Sequence, residues 1–185
     1  MKTPNWWEIT TPHKDITDGH FDESIFAADL GNVMDKNAPM EYMDGAMFFE
    51  KTYLTKGLKE LLESVLQRIS GKGTGQSVIQ LQTPFGGGKT HSLLGLYHMF
   101  TEGEKLSHID AIQTVKKSSK VKEIPKIKVA AFIGTHANAL TDKTPWGEIA
   151  DQLGLYEMMK VDDEARIAPG KAKILKMLEK AGTSL

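Results

Sequence analysis

The chain has 185 residues, enough for one domain with a real core, and its 40% hydrophobic and 25% charged content is ordinary for a globular protein. A formal net charge of −1 gives no overall pull toward nucleic acid or an anionic surface. With no cysteine, disulfides, thiolate metal sites and a cysteine nucleophile are excluded, which fits a reducing cytoplasm; no apolar run approaches membrane-spanning length, and Met1 to Trp7 lacks the apolar stretch of a secretory signal.

The N-terminal stretch is broken by Pro4, Pro12 and Gly19, and Trp6 and Trp7 are expected to anchor it on the core. Phe21, Ile25, Phe26, Leu30 and Val33 predict an amphipathic helix over residues 22–34, followed by a loop through Pro39. Phe48-Phe49 leads to Thr55-Lys56-Gly57-Leu58. Leu58, Leu61, Leu62, Val65, Leu66 and Ile69 then fall at i, i+3, i+4, i+7, i+8 and i+11, a strong helix pattern. Gly71-Lys72-Gly73-Thr74-Gly75 looks like a phosphate loop but follows a helix, which is the wrong order; it reads as a helix stop and turn.

The apolar run Val78-Ile79-Gln80-Leu81 predicts a strand over 77–83. Thr83-Pro84-Phe85-Gly86-Gly87-Gly88-Lys89-Thr90 follows, and then a helix over about 88–101 with Leu93, Leu96, Tyr97 and Phe100 on one face. Three glycines let a backbone wrap phosphate oxygens closely, Lys89 offers a cation to β- and γ-phosphates, and the Thr90 hydroxyl suits Mg²⁺. The helix points its first N–H groups at the same anion. Measured against G-x-x-x-x-G-K-[ST], the first glycine is replaced by Thr83, and Pro84 has no N–H to donate.

Residues 103–126 are polar, with a short helix expected around 107–115. Lys128 to Gly134 predicts a buried strand. Thr144-Pro145 opens a helix through Trp146, Ile149 and Leu153, with threonine as cap and proline at the first position. A last helix starts near Pro169, carries Ile174, Leu175 and Leu178, and stops at Gly182. Strand–helix–strand–helix order predicts an α/β fold with a parallel sheet and crossover helices. The expected division is an arm and helical segment over 1–57 and a nucleotide-binding unit over 58–185.

Other candidates are weaker. His91 and His98 are seven residues apart, about 10 Å along a helix, unlike the four-residue spacing of helical metal ligands. His91 follows Thr90, so it reaches either a phosphate, a neighbouring loop or its own helix end. Lys116, Lys117, Lys120, Lys122, Lys126 and Lys128 form a basic stretch without interleaved aromatics, which reads as a solvated loop. Thr135-His136 follows the second expected strand, without a clear ligand role. Asp162-Asp163-Glu164 is the acidic cluster available downstream to hold Mg²⁺, but the run before it is interrupted by Lys160, so it reads as an acidic turn. No guanine-specific Asn/Thr-Lys-x-Asp tetrapeptide occurs, which leaves adenine as the default base.

Taken together, Pro12-His13-Lys14-Asp15, Phe26-Ala27-Ala28-Asp29-Leu30, Phe48-Phe49, Thr52-Tyr53-Leu54-Thr55, Leu81 through His91, Leu96-Tyr97-His98, Trp146 through Ala150 and Ala168-Pro169-Gly170-Lys171 show a resemblance spanning nearly the whole chain. The chain resembles the N-terminal part of a family of large prokaryotic P-loop (AAA-like) ATPases, long labelled a domain of unknown function. That family includes the Y-type ATPase of phage-growth-limitation and BREX-type defence systems. Phe85-Gly86-Gly87-Gly88-Lys89-Thr90-His91 is the most specific piece. The resemblance implies that threonine at position 83 is normal, that the fold is P-loop NTPase, and that ATP with Mg²⁺ is the ligand. It also implies defence-system proteins or DNA as partners, through a remainder beyond Leu185. In the family, the acidic Mg²⁺ residues come on a strand after the Pro-Gly-Lys helix, so an incomplete sheet and negligible hydrolysis by the chain alone are expected.

The favoured functional expectation is the ATP-binding segment of a P-loop ATPase in the cytoplasm, with no membrane partner. Lys89 is the catalytic cation, Phe85 through His91 bind nucleotide and Thr90 serves the metal. The alternative is a non-catalytic nucleotide-binding or interaction module. A small-molecule kinase is a weaker third, because no arginine cluster for a substrate phosphate is visible.

Overall fold

The computed structural model describes residues 3–12, 14–19, 28–73, 75–84 and 86–182. The regular elements among them are helices: α1 (Trp6–Ile9), α2 (Lys14–Thr17), α3 (Leu30–Met34), α4 (Met40–Met43), α5 (Gly45–Lys51), α6 (Lys56–Ile69), α7 (Lys89–Glu102), α8 (Asp110–Ser118), α9 (Pro145–Gln152), α10 (Tyr156–Glu164) and α11 (Lys171–Ala181). A 3-10 turn, Gly103–Leu106, continues α7. No helix of the described residues is long and apolar enough to cross a membrane.

The expected α/β P-loop NTPase fold with its parallel sheet is corrected by this structure. Among the described residues there is no strand; 79–84 and 124–133 run without a backbone ladder. Their apolar side chains are used differently. Ile79 and Leu81 lie with Leu61, Val65, Leu93 and Leu96 along a groove of α6 and α7, while Val78 is 82% exposed. Ile127 and Val129 pack on the same core from the other segment. A short apolar run shows that one face is buried, but periodicity alone does not show whether a helix surface or a neighbouring strand buries it.

The main core joins α3, α5, α6, α7 and α8. Phe48, Leu62, Leu66, Leu94, Met99, Ile112 and Val115 are essentially inaccessible in it. Each such side chain contributes about 1.5–3 kcal/mol relative to exposure. The periodicity of 58–69 is borne out by α6, whose start is capped by Thr55: its hydroxyl accepts the Leu58 N–H at 3.2 Å. Its end is closed as the glycine run suggests. Gly71 takes φ +69°, its N–H donates to Arg68 C=O, and the Lys72 N–H donates to Gln67 C=O.

Several boundaries differ from expectation. The helix expected over 22–34 falls partly on residues 20–27, outside the described residues; its described part starts only at Leu30, because Asp29 is extended and its carboxylate accepts the Asn32 N–H at 2.9 Å. Trp6 and Trp7 do not dock on the core: they are 70% and 59% exposed and pack edge-to-face on each other at 5.5 Å. Phe48-Phe49 sits inside a helix, α5, capped by the Asp44 carboxylate.

A second core is built by α9, α10 and α11 around Ala150, Met159 and Met177. The Thr144 cap and Pro145 start of α9 are as expected, as is the Gly182 stop of α11 at φ +86°. Between the two ends, Asp162-Asp163-Glu164 is helical rather than a turn and closes α10.

Glu104 ties the 3-10 turn to two distant elements. Its carboxylate accepts from the Ser107 hydroxyl, from the Ile124 N–H at 2.5 Å and from Lys116 Nζ at 2.9 Å. The Ser107 bond, then those from Ile124 and Lys116, outweigh partial burial and lower its pKa from 4.5 to about 2. A depressed carboxylate stabilises the fold above its unfolded pKa and loses that contribution as pH falls through the folded value. Between pH 4.5 and 2, denaturation midpoints of the native chain should therefore decline, and Glu104→Gln should flatten that part of the decline. Urea titrations across this window check it; parallel profiles for both proteins would contradict it.

Candidate functional site

The candidate site is the loop that enters α7. Gly86 and Gly88 have φ of +77° and +75°, a region that only glycine enters freely, and Gly88 is the N-cap of the helix. Gly87 is required for a different reason: a Cβ there would collide with Thr83 Oγ1 and lie 3.0 Å from Pro84 C=O. Its N–H closes a turn by donating to Pro84 C=O at 3.1 Å. Phe85 lies outside the described residues.

Lys89 folds back over this turn. Its Nζ donates to Thr83 C=O at 3.2 Å, Thr83 Oγ1 at 3.2 Å and Pro84 C=O at 3.3 Å. All three acceptors are uncharged, so the positive charge of the ammonium is not neutralised by these contacts. The first backbone donor satisfied within the helix is Ser92, to Gly88 C=O at 2.9 Å. The N–H groups of Lys89, Thr90 and His91 therefore belong to the unsatisfied first turn. Thr90 is exposed on that turn.

His91 faces the other way. Its Nε2 lies 2.9 Å from Thr52 Oγ1, and its ring packs on Phe48 at 4.5 Å between centroids. The contact with a neighbouring segment, at Thr52, is formed. Burial pushes its pKa below the ordinary value, which keeps the ring neutral at pH 7. No sequence pattern signals this bond, since its partners are 39 positions apart. His98 does not join it as a ligand: its nitrogens face Tyr42 C=O at 2.7 Å and Glu102 Oε1 at 2.8 Å. Among the described residues, no group of three or more His, Asp or Glu side chains is placed to hold a metal.

The other candidates lie in separate networks. His136 Nε2 is 2.9 Å from Asp29 Oδ2, and the ring covers Gly31, where a Cβ would meet Nδ1 at 2.5 Å. The Asn32 N–H lowers the Asp29 pKa against partial desolvation, with His136 adding to the effect. Asp163 is buried, accepting from Thr144 N–H at 2.6 Å, Thr144 Oγ1–H at 2.5 Å and Tyr156 O–H at 3.0 Å. Asp162 pairs with Lys173 at 2.5 Å. Of the basic stretch, Lys116 pairs with Glu104, and Lys117, Lys120, Lys122, Lys126 and Lys128 are exposed.

Fold and loop together define a helical domain that offers a glycine-rich, lysine-bearing loop at the start of a helix packed into the main core. The chain belongs to the DUF499 family, whose N-terminal domain matches residues 8–185. Comparison with curated proteins and with solved structures finds no match.

The enclosure of His91 generates a prediction. In a proton NMR titration its midpoint should fall below the ordinary histidine value of 6.5. Since the folded pKa is the lower one, stability from the neutral ring is present above 6.5 and lost as pH falls through the folded value. A His91 midpoint at or above 6.5 would contradict the placement described.

Proposed function

We propose that this chain binds the polyphosphate end of a nucleoside triphosphate, ATP by default, through Gly86, Gly88, Lys89, Thr90 and the first turn of α7. The observation that carries the reading is the Lys89 ammonium, held over a glycine turn by uncharged oxygens beside the first-turn N–H groups. Such a turn, cation and helix start match the chemistry of an anion with several oxygens. Mg²⁺ keeps most of its water and takes one or two protein ligands besides phosphate, so the exposed Thr90 hydroxyl fits a metal that arrives with the nucleotide. When bound, the ion supplies charge neutralisation between phosphates.

A role for this segment within an ATPase of DNA-linked or phage-defence machinery, in the cytoplasm and with defence proteins or DNA as partners, is part of the same proposal. Its support is the residue resemblance around Gly86 to His91 and Thr52 to Thr55. The second reading, nucleotide binding without hydrolysis by these residues, is favoured by one observation. Asp162 and Asp163, two of the three downstream carboxylates weighed for Mg²⁺, are engaged with Lys173, Thr144 and Tyr156, while Glu164 is exposed. Phosphate release measured beside binding separates the two readings.

Lys89→Ala should weaken Mg-ADP binding by about tenfold to a hundredfold, the worth of a hydrogen bond to a charged group. Equal affinities by calorimetry would refute the reading. Thr90→Ala should instead abolish the Mg²⁺ enhancement of binding and leave metal-free ADP affinity nearly unchanged. Equal loss of metal-free ADP affinity in both variants would make Thr90 structural.

A further inference from the structure

The bond from His91 to Thr52 leads from the loop to a cavity that the sequence does not announce. It has a volume of about 550 Å³ and lies between the end of α5, the segment after it and the start of α8. That is within the size range of small-molecule sites. Leu54 and Ile109 supply apolar wall; Glu50 and Asp110 supply carboxylates. Tyr53 lines it too, yet is 85% exposed, an uncovered aromatic ring beside an open cavity.

Two contrasts set the chemistry. The loop at 83–90 presents lysine, hydroxyls and backbone N–H groups, without a carboxylate of its own, and suits an anion. The cavity has two carboxylates and one imidazole, His108, with an apolar wall and an aromatic face, a lining that suits a flat, uncharged heteroaromatic group better than a phosphate. Thr52 belongs to both places: its hydroxyl meets His91, one residue beyond Thr90, and it lines the cavity. Tyr53 begins about 3.8 Å further along the chain. Anion site and aromatic site are therefore linked through His91 and Thr52 and are chemically opposite, as the two ends of a nucleotide are.

We infer that this cavity is the nucleobase subsite, with Tyr53 stacking on the base of the nucleotide whose phosphates the glycine loop holds. The inference rests on the phosphate-binding reading above. Thr52 is a positioning residue, which sets the distance between the two ends through His91. Glu50 and Asp110 accept hydrogen bonds from exocyclic amino or ring N–H groups.

The test is calorimetry on the full chain with two probes, Mg-ADP and Mg-pyrophosphate, which share the phosphates and differ in the nucleoside. Wild type should bind ADP more tightly than pyrophosphate. Tyr53→Ala should lower ADP affinity about tenfold, the effect of losing one base–aromatic stack, and leave pyrophosphate affinity unchanged. Tyr53 is so exposed that its truncation does not threaten folding. Thr114→Trp, at an exposed position lining the cavity, should fill it and give the same selective loss. The inference is overturned if wild type binds both probes equally, if either variant leaves ADP affinity intact, or if either weakens both probes alike. Failure of wild type to bind pyrophosphate, or indifference of pyrophosphate to Lys89→Ala, removes the phosphate-loop reading itself and this inference with it.

Discussion

Helix α7 buries one face in the main core, and much of the chain is arranged around that requirement. Leu94, Gly95, His98, Met99 and Phe100 face inward, and α3, α5 and α6 pack on them. Gly95 lets α6 come close: a Cβ would sit 3.3 Å from Leu58 Cδ1. His98 is the polar member of this apolar helix, and a buried polar ring must be fully partnered. Both of its nitrogens lie within hydrogen-bond distance of a partner, the Glu102 carboxylate at 2.8 Å and the Tyr42 carbonyl at 2.7 Å. That bond ties α4 to α7 where apolar packing alone would permit sliding. The first turn of α7, which carries Lys89, Thr90 and His91, is thereby continuous with the main core. A site whose geometry matters gains from such support.

The second core follows another logic. One buried carboxylate, Asp163, takes the Thr144 N–H, the Thr144 hydroxyl and the Tyr156 hydroxyl, so the entry of α9 and the body of α10 share one acceptor. Gly147 allows the approach, because a Cβ there would overlap the carboxylate. Burial raises the Asp163 pKa, but the Thr144 and Tyr156 bonds outweigh it and the net shift is downward. The chemistry that would suit Asp163 to a metal, an ionised carboxylate with unused lone pairs, is spent here on joining helices.

What could be read from the residues depended on whether a signal was local. Helix α6 was legible because six apolar residues repeat at helical spacing and the glycine run from Gly71 marks its stop. The Thr144-Pro145 start and the Gly182 stop were legible for the same reason. Other ends were not, since Lys36, Lys120 and Arg166 adopt positive φ where a glycine would have marked the stop. The missing sheet is the largest discrepancy. The runs at 77–83 and 128–134 do bury apolar side chains, but on helix surfaces, and only the backbone partner distinguishes that from a strand. At the site, the glycine turn and Lys89 were visible in sequence. The Thr52 contact and the cavity beside Tyr53 were not, because both are made by residues far apart in the chain.

The loop and the 52–54 segment are linked through a single helical turn, and that has an energetic consequence. Lys89 holds uncharged oxygens of Thr83 and Pro84, bonds that a phosphate could replace with ones in which both partners are charged. The positive φ of Gly86 and Gly88 is already in place, so the exchange needs little backbone rearrangement. On the opposite side of the same turn, neutral His91 is wedged between Phe48 and Thr52. A shift of this turn toward an anion would pull on Thr52 and, next to it, Tyr53. Coupling between two binding events is reciprocal. If phosphate binds at Lys89 as proposed and the two places are coupled, ordering the Thr52–Tyr53 segment and binding phosphate change each other by the same free energy. The part-buried Thr52–His91 bond is the contact that joins the two.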